Sequence, residues 1–162
     1  MEFIASFGAG VATGYAVAGL PPTHDPQKEG ARVLVLSCID ARYSDTLAWF
    51  MTHNSAHSEF DLISLAGSAL GAVQTEYSSW NQTFLDHLEI AVDQHGVKEV
   101  WIIDHLNCSF YKAHYGNEID SDASLHHSNI RELRDVINTQ YPDIIVKPLL
   151  VASDGTVSPV TL

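Results

Sequence analysis

The stretch Ala31-Arg32-Val33-Leu34-Val35-Leu36-Ser37 leads without a break into Cys38-Ile39-Asp40-Ala41-Arg42. An apolar run of this length, with no polar alternation, fits a strand covered on both faces, which in turn requires a parallel sheet between two layers of helix. Similar runs follow at Phe60 to Leu65, ending in Ala66-Gly67-Ser68, at Lys98 to Ile103, and at Ile144 to Val151. The turn Ser153-Asp154-Gly155-Thr156 then introduces a short tail strand, Val157 to Thr161. Between the strands, Ser79 to His95 places Phe84, Leu88, Ala91 and Val92 at helical spacing and closes at Gly96. A second helix opens at Ser124, runs through Ile130, Leu133, Val136 and Ile137, and stops at Tyr141-Pro142. The expected class is α/β: a central, mostly parallel β-sheet of about four strands plus a short C-terminal tail strand, with helices on both faces. In such a sheet a ligand binds in the crevice at the carboxyl ends of the strands.

The chain has 162 residues, enough for one domain with a hydrophobic core. Residues 31–162 are read as that domain, and residues 1–30 as an apolar segment and linker that includes Leu20-Pro21-Pro22-Thr23-His24-Asp25-Pro26. A formal charge of −12 argues against a nucleic-acid partner and against an anionic membrane surface, since both call for clustered Lys and Arg. Phe3 to Leu20 carries no charge, and Ala16-Val17-Ala18 has the small-x-small form of a signal-peptidase site. Yet only Glu2 precedes the run, where a signal sequence wants a basic residue, and glycines and hydroxyl residues interrupt it. A helix that packs in an oligomer, in a cytoplasmic protein, is therefore the expectation; export behind a cleaved signal is the alternative.

Chemistry concentrates at two predicted strand ends. The first strand delivers Cys38, Asp40 and Arg42; the third delivers Asp104-His105-Leu106-Asn107-Cys108. His105 and Cys108 can face one ion from a single loop, and Cys38 from a neighbouring strand supplies a third position of a tetrahedral zinc site, leaving the fourth open as in catalytic centres. Cysteines at strand ends are also common as small core residues. The matching end of a second strand and the charged Asp40 and Arg42 favour the metal reading. Two thiolates offset the charge of Zn²⁺, so help in activating water must come from neighbouring groups. Asp40 is suited to orient that water, and Arg42 to hold Asp40 ionised and away from the metal. Of the other histidines, His53 and His57 read as surface residues. His87, His95 and His114 have the right acidity for proton shuttling, but no spacing selects one.

Cys38-x-Asp40-x-Arg42, the Ala66-Gly67 turn and His105-x-x-Cys108 resemble, in order and in placement, the C-x-D-x-R, A-G-N and H-x-x-C elements of the β-class carbonic anhydrases. The likeness spans about Arg32 to Val160. It implies Zn²⁺ held by Cys38, His105 and Cys108, reversible hydration of CO₂ to bicarbonate by a zinc-bound hydroxide, and a homodimer or higher homo-oligomer. Asp40 and Arg42 would be the catalytic pair, and Ala66, Gly67 and Ser68 would line the substrate pocket. Three positions depart from the family pattern: Ser68 in place of Asn, Ser109 in place of Gly, and Asp104 where a small residue is common. Asp104 is expected to add negative charge beside the site. The alternatives are hydrolysis of a related heterocumulene (carbon disulfide or carbonyl sulfide), a non-catalytic zinc-binding domain, and a redox protein using Cys38 and Cys108.

Overall fold

Five strands form one sheet in the computed structural model, which describes residues 30–54, 59–116 and 123–162. They are β1 (Val33–Ser37), β2 (Phe60–Ser64), β3 (Glu99–His105), β4 (Ile145–Val151) and β5 (Val157–Pro159). Their order is β2-β1-β3-β4-β5; the first four are parallel, and β5 runs antiparallel to β4 at the edge. This is the expected mostly parallel sheet with its tail strand. The N-terminal segment and His57 lie outside the described residues. Among those described, no helix is long and apolar enough to cross a membrane.

Period-two alternation divides the strand side chains between two cores. Leu34, Leu36, Val100 and Ile102 face one side, where they meet Phe84 and Leu88 of α3 (Ser78–Asp93) and Ile130, Leu133 and Ile137 of α5 (Ala123–Gln140). The short α2 (Ala69–Val73) packs into the same layer. Gly71 permits that approach, since a Cβ there would stand 2.5 Å from the Ala66 carbonyl oxygen. Val33, Val35, Trp101, Ile103, Leu149 and Val151 face the other side. They are covered by Met51, Leu47 and Phe50 of α1 (Ser44–His53). The chain thus leaves β1 for β2 over one face, then returns across β1 to reach β3 over the other. Strand order reverses between β1 and β3, and the crevice opens at their carboxyl ends.

The helices α3 and α5 fall within a residue or two of their predicted bounds, α5 ending at Gln140 directly before the expected stop at Tyr141-Pro142. Not foreseen were α1, α2 and α4 (Ser109–Tyr115), all ten residues or shorter. β3 runs two residues beyond its expected end, so that Asp104 and His105 pair with Leu150 and Val151 as part of the ladder.

On the α1 face of the sheet, Glu99 accepts hydrogen bonds from Lys147 Nζ (2.7 Å) and Trp101 Nε1 (2.8 Å), and Lys147 lies 5.0 Å from the Trp101 ring centroid. Burial alone would raise the Glu99 carboxyl, but these two donors outweigh it and hold the group below its usual range. The folded value is lower than the unfolded one, so the cluster contributes stability at neutral pH and loses it as pH falls through the folded value. Glu99→Gln is expected to melt below the parent protein at pH 7, with the gap closing below about pH 4. A gap of constant size from pH 7 to 3 in thermal melts would exclude this account.

Candidate metal centre

Cys38 is the first residue past β1 and His105 the last of β3, so the two strands on either side of the reversal set their spacing. Cys108 follows on a turn in which Asn107 takes a left-handed conformation (φ 59°), one that Asn tolerates better than most residues. The Cys38 and Cys108 sulfurs lie 3.9 Å apart and are not bonded to each other. With the His105 ring they form the one group of three or more potential metal ligands among the described residues, all donor atoms within 4.8 Å of one another. Two thiolates at about 2.3 Å from one tetrahedral zinc ion stand roughly 3.8 Å apart, so the sulfur spacing suits that ion.

His105 Nδ1–H donates to the Leu106 carbonyl at 2.8 Å, which assigns the proton to Nδ1 and leaves Nε2 as a bare acceptor. Nε2 is the one buried side-chain nitrogen or oxygen without a hydrogen-bond partner among the described residues. Such an atom is costly to bury, and a metal ligand would satisfy it. Tyr43 packs its ring 4.2 Å from that of His105 and donates its hydroxyl to Leu106 O at 3.2 Å, fixing the ring plane. Tyr43 was not among the predicted site residues; it directly follows Arg42, and only its place on the turn would have suggested it.

The electrostatics favour a thiolate at Cys38. The hydrogen bond from Cys108 is the largest influence and outweighs burial, with His105 and the Gly67 N–H (3.3 Å) assisting; together they lower Cys38 to about 4. Cys108 retains the shared proton, and burial raises it further. For His105, burial opposes the charged form, but the Cys38 sulfur and the Leu106 carbonyl carry the balance upward. Asp40 caps the turn Ala41–Tyr43 by accepting from Arg42 N–H. The Arg42 guanidinium grips the same carboxylate through Nε (3.0 and 3.2 Å) and Nη2 (2.6 Å), lowering it to about 2. Nη2 also donates to Asn107 O at 2.9 Å, tying the β1 loop to the β3 loop. Asp40 Oδ2 sits 3.8 Å from His105 Nε2, at the open side of the cluster.

The cluster therefore brings together Cys38, His105, Cys108, Asp40 and Arg42. A cavity of about 400 Å³ runs from it beneath α1, with Phe50, Met51, Phe60 and Leu62 among its walls. Ala66 lines a second opening on the α4 side, and Gly67 touches Cys38 through its N–H. Ser68 is fully buried, with its hydroxyl on Leu36 O at 3.4 Å. Asp104 departs from expectation. Its carboxylate is buried on the opposite face from His105, where it accepts from Ala69 N–H, the Tyr111 hydroxyl and His126 Nδ1–H. Strand alternation carries it away from the ligand side. His95 pairs with Asp61 and His114 with Glu76, and neither lines the two cavities.

Residues 28–161 match the family model described as "Putative carbonic anhydrase". The chain belongs to that family. An uncharacterized protein of Rickettsia conorii is 30% identical over 131 residues, which cover 78% of this chain and 70% of that one. Among solved structures, a β-carbonic anhydrase from Trichomonas vaginalis superposes with a TM-score of 0.63 at 15% identity, covering 98% of this chain and 97% of its own. A carbonic anhydrase from Glaciozyma antarctica gives 0.61 at 19% identity, covering 94% and 95%. These structures share the fold, and the low identity marks a divergent family member.

Gly67 supplies a backbone N–H donor to the Cys38 sulfur. Its φ is +73°, and an added Cβ would lie 2.7 Å from Phe110 Cδ1. Gly67→Ala is expected to cost about 1–2 kcal/mol from the left-handed backbone alone, more where Phe110 must shift. Urea unfolding measures this, and an unchanged midpoint would mean that the turn relaxes freely.

Proposed function

We propose that this chain is a zinc-dependent lyase that hydrates CO₂ to bicarbonate at the Cys38–His105–Cys108 cluster. The observation that carries the reading is the buried, unpartnered His105 Nε2 aimed at two thiol sulfurs 3.9 Å apart. Zinc in that position would supply, when bound, a strong nucleophile from water at neutral pH. The protein's own groups do the rest. Asp40, ionised above about pH 2, offers an oxygen at the open side of the cluster that can accept a proton of an incoming water. Arg42 occupies both carboxylate oxygens and so keeps Asp40 from swinging onto the metal position. The apolar walls under α1 suit a small, uncharged, linear substrate.

Because Arg42 is 58% exposed, its ion pair contributes little to folding, at most about 1 kcal/mol. Its value is positional. Arg42→Ala is therefore expected to keep the fold and one zinc per chain while losing roughly 10–100-fold in turnover. Stopped-flow CO₂ hydration on metal-quantified protein checks this, with Cys38→Ser as the variant expected to lose the metal. Full turnover in Arg42→Ala would remove the pair from the mechanism. The same apolar walls would also admit carbon disulfide or carbonyl sulfide, so a zinc-loaded chain inert toward CO₂ but active on either would move the assignment to heterocumulene hydrolysis.

The reading includes a homo-oligomer. Ile39 just past β1 and Leu62 on β2 each have more than half their surface exposed, and Trp49 on α1 is 61% exposed. Exposed apolar groups of this size favour self-association. Light scattering is expected to give a mass at least twice 17.8 kDa, and a monomer at micromolar concentration would refute it.

A further inference from the structure

Asp104 stands one residue before His105 yet points into the opposite layer, where its side chain is completely buried. Burying a carboxylate is expensive, and packing alone would be served as well by an apolar side chain of the same size. Its three hydrogen-bond partners come from three separate elements. Oδ1 accepts from the backbone N–H of Ala69, the first residue of α2, at 3.0 Å. Oδ2 accepts from the Tyr111 hydroxyl of α4 at 2.6 Å and from His126 Nδ1–H of α5 at 3.0 Å. His126 also stacks on Tyr111, ring centroids 3.8 Å apart, which holds the hydroxyl on its target.

Two of these partners lead straight back to the ligands. Ala69 closes the turn in which Gly67 N–H reaches the Cys38 sulfur and Ser68 adopts a positive φ of 47°. That strained turn is held from one end by Ser68 N–H on Leu65 O and from the other by Ala69 on Asp104. Tyr111 lies on the first turn of α4, which Cys108 caps and to which Cys108 is tied by Lys112 N–H on its carbonyl at 3.0 Å. The third ligand, His105, is Asp104's covalent neighbour.

We propose that Asp104 is a positioning residue for the metal centre: from the far face of the sheet its carboxylate fixes the turn that supplies the Cys38 sulfur with its N–H donor and the helical turn that carries Cys108. The inference rests on the reading of Cys38, His105 and Cys108 as a metal site. It assigns to Asp104, Tyr111 and His126 a role in metal affinity and geometry, without contact to the metal or the substrate.

Cobalt titration of the full-length chain tests it, with the thiolate-to-cobalt absorption band and competition against zinc as readouts that do not depend on activity. Asp104→Asn places an amide N–H₂ among donors and is expected to weaken zinc binding about 10–100-fold and to shift the band. Tyr111→Phe, which removes one hydroxyl and keeps the ring, is expected to do the same to a smaller degree. Ile137→Ala supplies the control: it lies eleven residues along α5 from His126, about 16 Å away, and should lower the melting temperature while leaving affinity and band unchanged. Wild-type affinity and band in Asp104→Asn would overturn the proposal. So would an equal loss of affinity in Ile137→Ala at matched destabilisation. If Asp104→Asn does not fold, an unaltered Tyr111→Phe overturns it instead. A wild-type chain that takes up neither cobalt nor zinc would bring down the metal reading itself, an outcome distinct from these.

Discussion

The last two residues of β3 carry the organisation of this protein. Successive side chains of a strand point to opposite faces. Because β3 continues through Asp104 and His105 and stays paired with β4, the imidazole goes to the α1 side and the carboxylate to the side of α2, α4 and α5. A strand ending two residues earlier would leave both groups on a loop, free to share one compartment. Continued pairing imposes a division of labour instead. One face receives His105 Nε2, which has no hydrogen-bond partner among the described residues, and the other receives a carboxylate with three. The sheet thereby separates the imidazole of the candidate metal site from a negative charge that would perturb it.

The reversal of strand order between β1 and β3 does the complementary work. Helices cover opposite faces on the two sides of the reversal, so the carboxyl ends of β1 and β3 are left open together. Cys38 needs no loop of its own to reach the cluster. What does need support is the charge. A net charge of −12 leaves the molecule a poor environment for further anions, and the cluster adds a thiolate and Asp40 within a small volume. Arg42 answers this locally. Its guanidinium bridges Asp40 and the Asn107 carbonyl, so one side chain balances the carboxylate and latches the two ligand-bearing loops. The salt bridge is too exposed to matter much for folding, which is why its geometry, not its energy, is the informative feature.

Much of this was legible in the chain because burial on both faces leaves a plain signature. Val33 to Leu36 and Val100 to Ile103 read as strands from apolar continuity alone, and α3 and α5 read from the spacing of Phe84, Leu88, Ile130, Leu133 and Ile137. The three candidate ligands were legible because predicted strand ends converge. The shorter helices were not. α2 has five residues, and its place is set by Gly71 lying close against the Ala66 carbonyl, a local contact with no periodic trace. Asp104 was misread for a related reason. Charge beside a motif looks like charge at the site, and only the extension of β3 by two residues, a matter of pairing with Leu150 and Val151, turns it away. Tyr43 and Asn107 act through ring contact and a main-chain carbonyl, neither of which residue type announces.

Two of the three departures from the family motifs then acquire a common physical sense. Ser68 occupies a buried, positive-φ position with its hydroxyl on Leu36 O, so it belongs to the wall of the turn and not to the open side of the cluster. Ser109 begins α4 directly after Cys108, where any residue with ordinary helical dihedrals serves. Asp104 anchors that same turn and that same helix from behind. Ser68 and Asp104 therefore lie on the supporting side of the candidate ligands, whereas Ser109 is exposed and lines the opening beside Cys38, Asp40 and Arg42. Asp40, Arg42 and His105 Nε2 keep the arrangement that the proposed metal-assisted hydration would use. At Ser68 and Asp104 divergence has altered how the candidate centre is held more than what it presents, which is the pattern expected where a site is kept and the scaffold around it is rebuilt.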